Sequence, residues 1–101
     1  NFFIVKNNQV ITSKGEYCLN GVTRGKIIEI CIEENIHIIE KNFELTDVYD
    51  ADEAFVTGTF AGVIPVINID NHIIGNGKRG SITKTLFDSY KNKINKLYPN
   101  D

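Results

Sequence analysis

The chain has 101 residues, of which 42% are hydrophobic and 10% aromatic, which suffices for one small domain with a modest core. The formal net charge is −2, and the 11 lysines and arginines are scattered, which argues against a nucleic-acid-binding surface. The apolar runs are too short to cross a membrane. The first residues do not show the basic segment followed by an apolar segment that is typical of a signal peptide. We therefore expect a cytoplasmic protein that binds neither nucleic acid nor membrane.

The first predicted element is an antiparallel hairpin. Two β-forming runs, Phe2–Val5 and Val10–Thr12, flank the polar segment Lys6–Gln9. This segment contains two asparagines, which tolerate a positive φ in a tight turn.

A helix is predicted over residues Val22–Glu34. Apolar residues recur at helical spacing between Ile27 and Cys31, while glutamates occupy the other faces. Asn20 and Gly21 stand before the helix as candidate caps.

Short strands and helices alternate in the rest of the chain. They are a strand Ile36–Glu40, one or two helical turns at Leu45–Tyr49, a strand Glu53–Thr57, a strand Val63–Ile69, a turn Asp70–His72 leading to Ile73–Ile74, and an amphipathic closing helix Ser81–Leu97. This order indicates a single α+β domain over residues 1–101 with a mixed sheet.

The cysteines and histidines do not suggest a metal site. Cys18 and Cys31 lie far apart and outside any CxxC pattern, so we interpret them as free, reduced thiols. His37 lies in a β-branched run and His72 in a turn, and neither has a second ligand four residues away. We expect no bound metal.

Two further patterns are interpreted as structural. Gly75–Gly80 spells GxGxxG before a helix, but the strand before it is short and no second parallel strand follows, so a dinucleotide site is not expected. The acidic group Asp50, Asp52 and Glu53 could bind a cation, but it is more typical of a solvated loop with a capping role.

Two turns contain the small and hydroxyl-bearing residues that an anion site needs. Leu19–Arg24 precedes the first helix, and Thr57–Gly62 follows a strand. A phosphate requires several convergent backbone N–H groups without a bulky side chain between them, and such turns supply both conditions. Together the two turns predict an anion cradle.

Three segments in order resemble one protein family: Gly15–Arg24, Ala51–Val66, and Ile69–Asp70 with Ile74–Gly77. They resemble the C-terminal domain of the class IV, fold-type IV pyridoxal-phosphate aminotransferases, nearest to the branched-chain amino acid aminotransferases. The likeness extends from Asn1 to about Tyr90.

The resemblance implies that the chain binds pyridoxal 5'-phosphate. The cofactor phosphate would lie at the start of the first helix, against Gly21, the N–H groups of Val22 and Thr23, and the Thr23 hydroxyl. Thr59 would add a second hydroxyl, and Leu19 would pack on the pyridine ring.

The resemblance also implies a part of the substrate site. Thr59 and the N–H groups of Phe60 and Ala61 would face the substrate carboxylate. Branched-chain enzymes commonly have Thr-Ala-Ala-Glu where this chain has Thr59 to Gly62, and they have proline where it has Asn20. The amino donor therefore stays open among branched-chain, D-amino acid, amine and aminodeoxychorismate chemistry.

The family's catalytic residues have no counterparts in this chain. The lysine that forms the Schiff base and the carboxylate on the pyridine nitrogen would precede Asn1, as would the N-terminal domain, and no lysine present matches that place. We expect a C-terminal portion of an aminotransferase that exchanges an amino group between an amino acid and a 2-oxo acid. The portion alone would be inactive, and the complete protein would be a homodimer.

A second hypothesis belongs to another class of function. The chain could be a non-catalytic module that binds a phosphorylated small molecule or assembles with a partner chain. Apolar surface left uncovered would favour such self-association.

Overall fold

The protein folds into a mixed sheet with helices on both faces. The computed structural model describes residues 2–14, 21–58 and 62–97. The elements in chain order are β1 (Phe2–Lys6), β2 (Gln9–Thr12), α1 (Gly21–Glu33), β3 (His37–Glu40), α2 (Leu45–Tyr49), β4 (Glu53–Gly58), β5 (Gly62–Pro65), β6 (Asn68–Ile69), β7 (His72–Ile73) and α3 (Ser81–Leu97). The α+β prediction is confirmed, and none of the helices in these ranges is long and apolar enough to cross a membrane.

The five main strands lie in the order β3-β2-β1-β4-β5. β2 and β3 are parallel and α1 connects them, whereas the other neighbouring pairs are antiparallel. The opening hairpin turns through Asn7 and Asn8 with φ values of 53° and 63°, which confirms the role predicted for these asparagines. The sheet is therefore mixed, with the first strand of the chain at its centre.

The two faces of the sheet are covered unequally. Helices α1 and α3 pack on one face over the larger cluster of buried residues, which comprises Phe3, Val5, Val10, Ile27, Ile30, Cys31, Phe55, Val63, Leu86 and Tyr90. The other face carries a smaller cluster of Ile4, Val48, Ala51, Ala54 and Ile74, under the single-turn helix α2. Phe2 and Ile11 on that face are only partly buried.

The predicted strand Val63–Ile69 is wrong in its extent. It divides into β5 and β6, and Val66 and Ile67 lie between them outside either strand. β5 ends at Pro65, the Val66 N–H makes one further bond to the Ala54 carbonyl of β4 at 2.9 Å, and β6 pairs instead with β7 in a separate two-stranded sheet. The turn predicted before β7 is confirmed, because Asp70 and Asn71 have φ values of 49° and 67°.

The start of α3 is capped by Glu53 rather than open to a phosphate. The Glu53 carboxylate accepts the Thr83 N–H at 2.8 Å, the Thr83 hydroxyl at 2.8 Å and the Ile82 N–H at 3.3 Å. A Cβ at Gly80 would overlap this carboxylate. The last glycine of the GxGxxG pattern thus makes room for a carboxylate, in agreement with its structural interpretation, whereas Glu53 begins β4 and does not belong to a solvated loop.

Cys31 provides a test of the core by pH. It is fully buried in α1, and burial raises the pKa of its thiol from 9.0 to about 11. The unfolded chain loses this proton at lower pH than the folded chain, so the free energy of unfolding should fall as pH rises from 9 towards 11.

Urea unfolding at a series of pH values measures this contribution as the difference between the parent chain and a Cys31→Ala variant. The difference should be constant below pH 9 and shrink above it. If the free energies of unfolding of the two proteins differed by the same amount at every pH, the raised pKa of the Cys31 thiol would be contradicted.

Candidate functional site

Several strand ends lie together at one end of the sheet. Phe2 pairs with Val56, Gly58 pairs with Gly62, and Thr12 pairs with Glu40 on the neighbouring parallel strand. We call this end, defined by Phe2, Thr12, Glu40, Gly58 and Gly62, the upper end of the sheet. Adjacent strands lie about 4.8 Å apart, so β4 runs about 10 Å from β2, and Gly58 lies three residues beyond Phe55, which is level with Thr12.

The first turn of α1 is attached to the same upper end. Arg24 Nη2 donates to the Ser13 carbonyl at 2.8 Å, directly after β2. The same nitrogen lies 3.3 Å from Oε2 of Glu40, the last residue of β3. The helix therefore starts beside the upper end and its chain returns to the opposite end, where β3 begins.

The beginning of α1 has the electrostatic character of an anion site. The first N–H groups of a helix have no acceptor within the helix and carry the positive end of its dipole. No acidic residue occupies the first turn of α1. Thr23 lies in this turn and is 7% exposed. A negatively charged group would be stabilised here.

The hairpin of β4 and β5 is held against α3 at the upper end. Gly62 has a φ of 73°, and a Cβ there would lie 2.6 Å from Cδ1 of the Tyr90 ring. The absence of a side chain lets the ring pack on the strand, and the next residue, Val63, is buried. The base of the hairpin is thus fixed by a close helix contact.

The structure describes only some of the site residues predicted from the sequence. Gly21, Val22 and Thr23 form the first turn of α1, so Gly21 is the first helical residue rather than a cap. The other predicted site residues, which lie outside the described ranges, are Leu19, Thr59, Phe60 and Ala61. The described residues that flank Leu19 are Ser13 and the start of α1, and those that flank Thr59, Phe60 and Ala61 are Gly58 and Gly62. All of these flanking residues lie at the upper end of the sheet.

Arg24 is a residue of this region that the sequence analysis did not assign to a role. Its side chain is 12% exposed although its guanidinium is charged. The signal for it was present, since an arginine directly follows Gly21-Val22-Thr23. Its partners could not be read from the sequence, because they depend on the parallel pairing of β2 with β3.

The histidines and the acidic group make local contacts elsewhere. The exposed His37 lies 3.1 Å from the Gln9 amide, and His72 stacks on Tyr49 with ring centroids 3.8 Å apart. Asp52 accepts the Asn7 N–H at 2.9 Å. Among residues 2–14, 21–58 and 62–97, no group of three or more His, Cys, Asp or Glu could hold a metal ion.

Comparison with known proteins identifies the family. Residues 1–69 match the family model described as amino-transferase class IV. The chain belongs to the class IV aminotransferases. It is 41% identical over 90 residues to a branched-chain-amino-acid aminotransferase of Pseudomonas aeruginosa, covering 89% of this chain and 29% of that protein. It is 37% identical over 95 residues to a D-alanine aminotransferase of Bacillus licheniformis, covering 93% of this chain and 34% of that protein.

Solved structures of class IV enzymes share the fold. The branched-chain aminotransferase of the archaeon Thermoproteus uzoniensis, solved with norvaline, superimposes with a TM-score of 0.88 at 33% identity, covering 98% of this chain and 33% of that one. The predicted fold-type IV class is therefore confirmed. This chain spans between about a sixth and a third of the length of the relatives that it matches.

Proposed function

We propose that this chain is the C-terminal domain of a class IV aminotransferase, and that it contributes the cup for the phosphate of pyridoxal 5'-phosphate and part of the substrate site. The complete enzyme would transfer an amino group between an amino acid and a 2-oxo acid. The observation that carries the proposal is that the start of α1 and the base of the β4–β5 hairpin lie at the same end of one sheet.

The described residues fit a bound phosphate dianion. The first turn of α1 has N–H groups without an acceptor inside the helix and no acidic side chain, and Arg24 adds a cation beside them. We assign the phosphate to Gly21, the N–H groups of Val22 and Thr23, and the Thr23 hydroxyl. These groups bind and orient the phosphate and do not themselves take part in proton transfer.

The remaining assignments concern the ring and the substrate. Leu19 would pack on the pyridine ring, and Thr59 would add a hydroxyl to the phosphate cup. The N–H groups of Phe60 and Ala61 would orient the substrate carboxylate. When bound, the cofactor supplies an electron-withdrawing ring that protein side chains lack. The catalytic lysine and the carboxylate for the ring nitrogen would belong to the part of the relatives that this chain does not span.

The amino donor we propose is a branched-chain-like amino acid, since branched-chain aminotransferases are among the relatives and the solved structures. Relatives named D-alanine aminotransferase match a similar share of the chain. Phe60 is bulkier than the alanine common in branched-chain enzymes, so D-amino acid, amine and aminodeoxychorismate chemistry are the alternatives on the same fold.

The less covered face of the sheet favours a partner for this domain. A groove of about 360 Å³ is lined by Phe2, Phe43, Glu44, Leu45, Val48 and Ile69. Leu45, one of these lining residues, is 50% exposed. Contiguous apolar surface of this kind marks an interaction site. We propose that the N-terminal domain of the enzyme covers it and that the complete protein is a homodimer. The alternative, a non-catalytic module, would use the same face for a partner chain.

Thr23→Val tests the phosphate cup. Valine has nearly the shape of threonine but lacks its hydroxyl, and a hydrogen bond to a charged group contributes about 1.5–3 kcal/mol, so phosphate affinity should fall about tenfold to a hundredfold. Binding of pyridoxamine 5'-phosphate to the 101-residue chain can be measured by calorimetry. This probe has no aldehyde that would react with surface lysines.

Thr85→Val is the matched control for this experiment, since Thr85 is exposed on α3 away from the upper end. It should bind the probe as the parent chain does. Equal affinity of the parent chain and Thr23→Val would contradict the cup. Sustained transamination by the chain alone would contradict the assignment of the catalytic lysine to another part of the enzyme.

A further inference from the structure

Arg24 connects the first turn of α1 to two neighbouring strands. One guanidinium nitrogen donates to the Ser13 carbonyl at 2.8 Å and lies 3.3 Å from the Glu40 carboxylate. Ser13 directly follows β2, and Glu40 is the last residue of β3. The two strands run parallel, and Thr12 is paired with Glu40. A single side chain thus links the helix start to both strand ends.

The burial of Arg24 indicates that its orientation is fixed. Its side chain is 12% exposed, and its Nε is buried without a hydrogen-bond partner among the residues that the structure describes. The two contacts of Nη2, to the Ser13 carbonyl and the Glu40 carboxylate, together with this burial restrict the orientation of the guanidinium. The planar guanidinium then sets the rotation of the first turn about the axis of α1.

We propose that Arg24 is a positioning residue of the phosphate cup. By holding the first turn of α1 against Ser13 and Glu40, it directs the N–H groups of residues 21–23 towards the anion. This inference rests on the proposed function. The competing explanation is simple attraction between the Arg24 charge and the phosphate, which Glu40 weakens because it pairs with that charge.

Lysine and methionine at this position separate the two explanations. Arg24→Lys keeps the charge, but its side chain is one bond shorter than the path to Nη2 and lacks the rigid guanidinium plane, so it should not hold both acceptors at once. Arg24→Met keeps much of the apolar stem and removes the charge. Lys84→Met, which removes an exposed cation from α3, is the matched control.

The readout is the preference of the 101-residue chain for pyridoxamine 5'-phosphate over pyridoxamine, measured by titration well below the melting temperature. A misplaced cup should weaken binding of the phosphorylated probe about tenfold in Arg24→Met and to a similar extent in Arg24→Lys. Binding of pyridoxamine should not change, whereas a general loss of structure would weaken both probes. Lys84→Met should keep the full preference.

Each outcome decides between the proposals. A parent chain without any preference for the phosphorylated probe overturns the phosphate cup, and the role of Arg24 with it. If the parent chain shows the preference and Thr23→Val loses it, but Arg24→Met keeps it, only the role of Arg24 is overturned. A full preference in Arg24→Lys alone shows that charge suffices and overturns positioning. Should Arg24→Met fail to fold by circular dichroism, Arg24→Lys decides the question in the same way.

Discussion

Phe55→Ala is expected to lower the free energy of unfolding by about 3–5 kcal/mol, the usual cost of removing a buried phenylalanine ring. Phe55 is fully buried in β4, between β1 and β5. Its ring stacks on that of Phe3, with centroids 4.8 Å apart and an angle of 7° between the planes. Because small domains have only about 5–15 kcal/mol of stability, this variant should be close to unfolding at room temperature.

Urea unfolding followed by circular dichroism measures the loss. Phe87→Ala is the matched control, since Phe87 is only partly buried at the border of the same cluster. Its loss should be clearly smaller, about 1–2 kcal/mol, because less apolar area is removed from contact. A larger loss for Phe87→Ala than for Phe55→Ala would show that the core is centred elsewhere.

Glu53→Ala is expected to cost about 2–3 kcal/mol, since hydrogen bonds to a charged group and an N-terminal cap are lost together. Glu53 accepts both the backbone N–H and the hydroxyl of Thr83, and Thr83 is 1% exposed. Without the carboxylate, these buried donors keep no partner of comparable strength. The start of α3 should then detach from β4.

Hydrogen exchange at the amides of Ile82 and Thr83, together with urea unfolding, measures this effect. Asp88→Ala is the control because Asp88 is an exposed carboxylate on the same helix, paired with Lys84 four residues away. Exposed pairs of this kind contribute little to stability, so Asp88→Ala should unfold at nearly the same urea concentration as the parent chain. Equal losses in the two variants would mean that the Glu53 cap does not stabilise α3.

Local sequence patterns predicted most of the elements. The Asn7-Asn8 turn, the helix at Gly21–Glu33 and the closing helix Ser81–Leu97 all agree with the structure within about a residue. Each depends on spacing or backbone preference within a few neighbouring residues. For the same reason the short α2 was predicted at Leu45–Tyr49.

Features that depend on distant residues could not be predicted in this way. The Val63–Ile69 run is uniformly β-forming except at Pro65, so its division became clear only from the separate pairing of β6 with β7. Glu53 caps a helix about 30 residues further along the chain. The proposed phosphate cup was predicted from residue types and resemblance, but the attachment of α1 through Arg24 requires the strand pairing to be known.

The central place of β1 has a consequence during synthesis on the ribosome. Phe2–Lys6 is made before the other strands of its sheet, yet one of its two neighbours is Glu53–Gly58, which emerges only after residues 7–52 have been translated. Until then, one side of the nascent hairpin has unpaired backbone groups that another chain could join. Slow translation over residues 13–52 would prolong the time during which this edge can aggregate. A chaperone that covers the β1–β2 hairpin on the ribosome should therefore raise the yield of native protein.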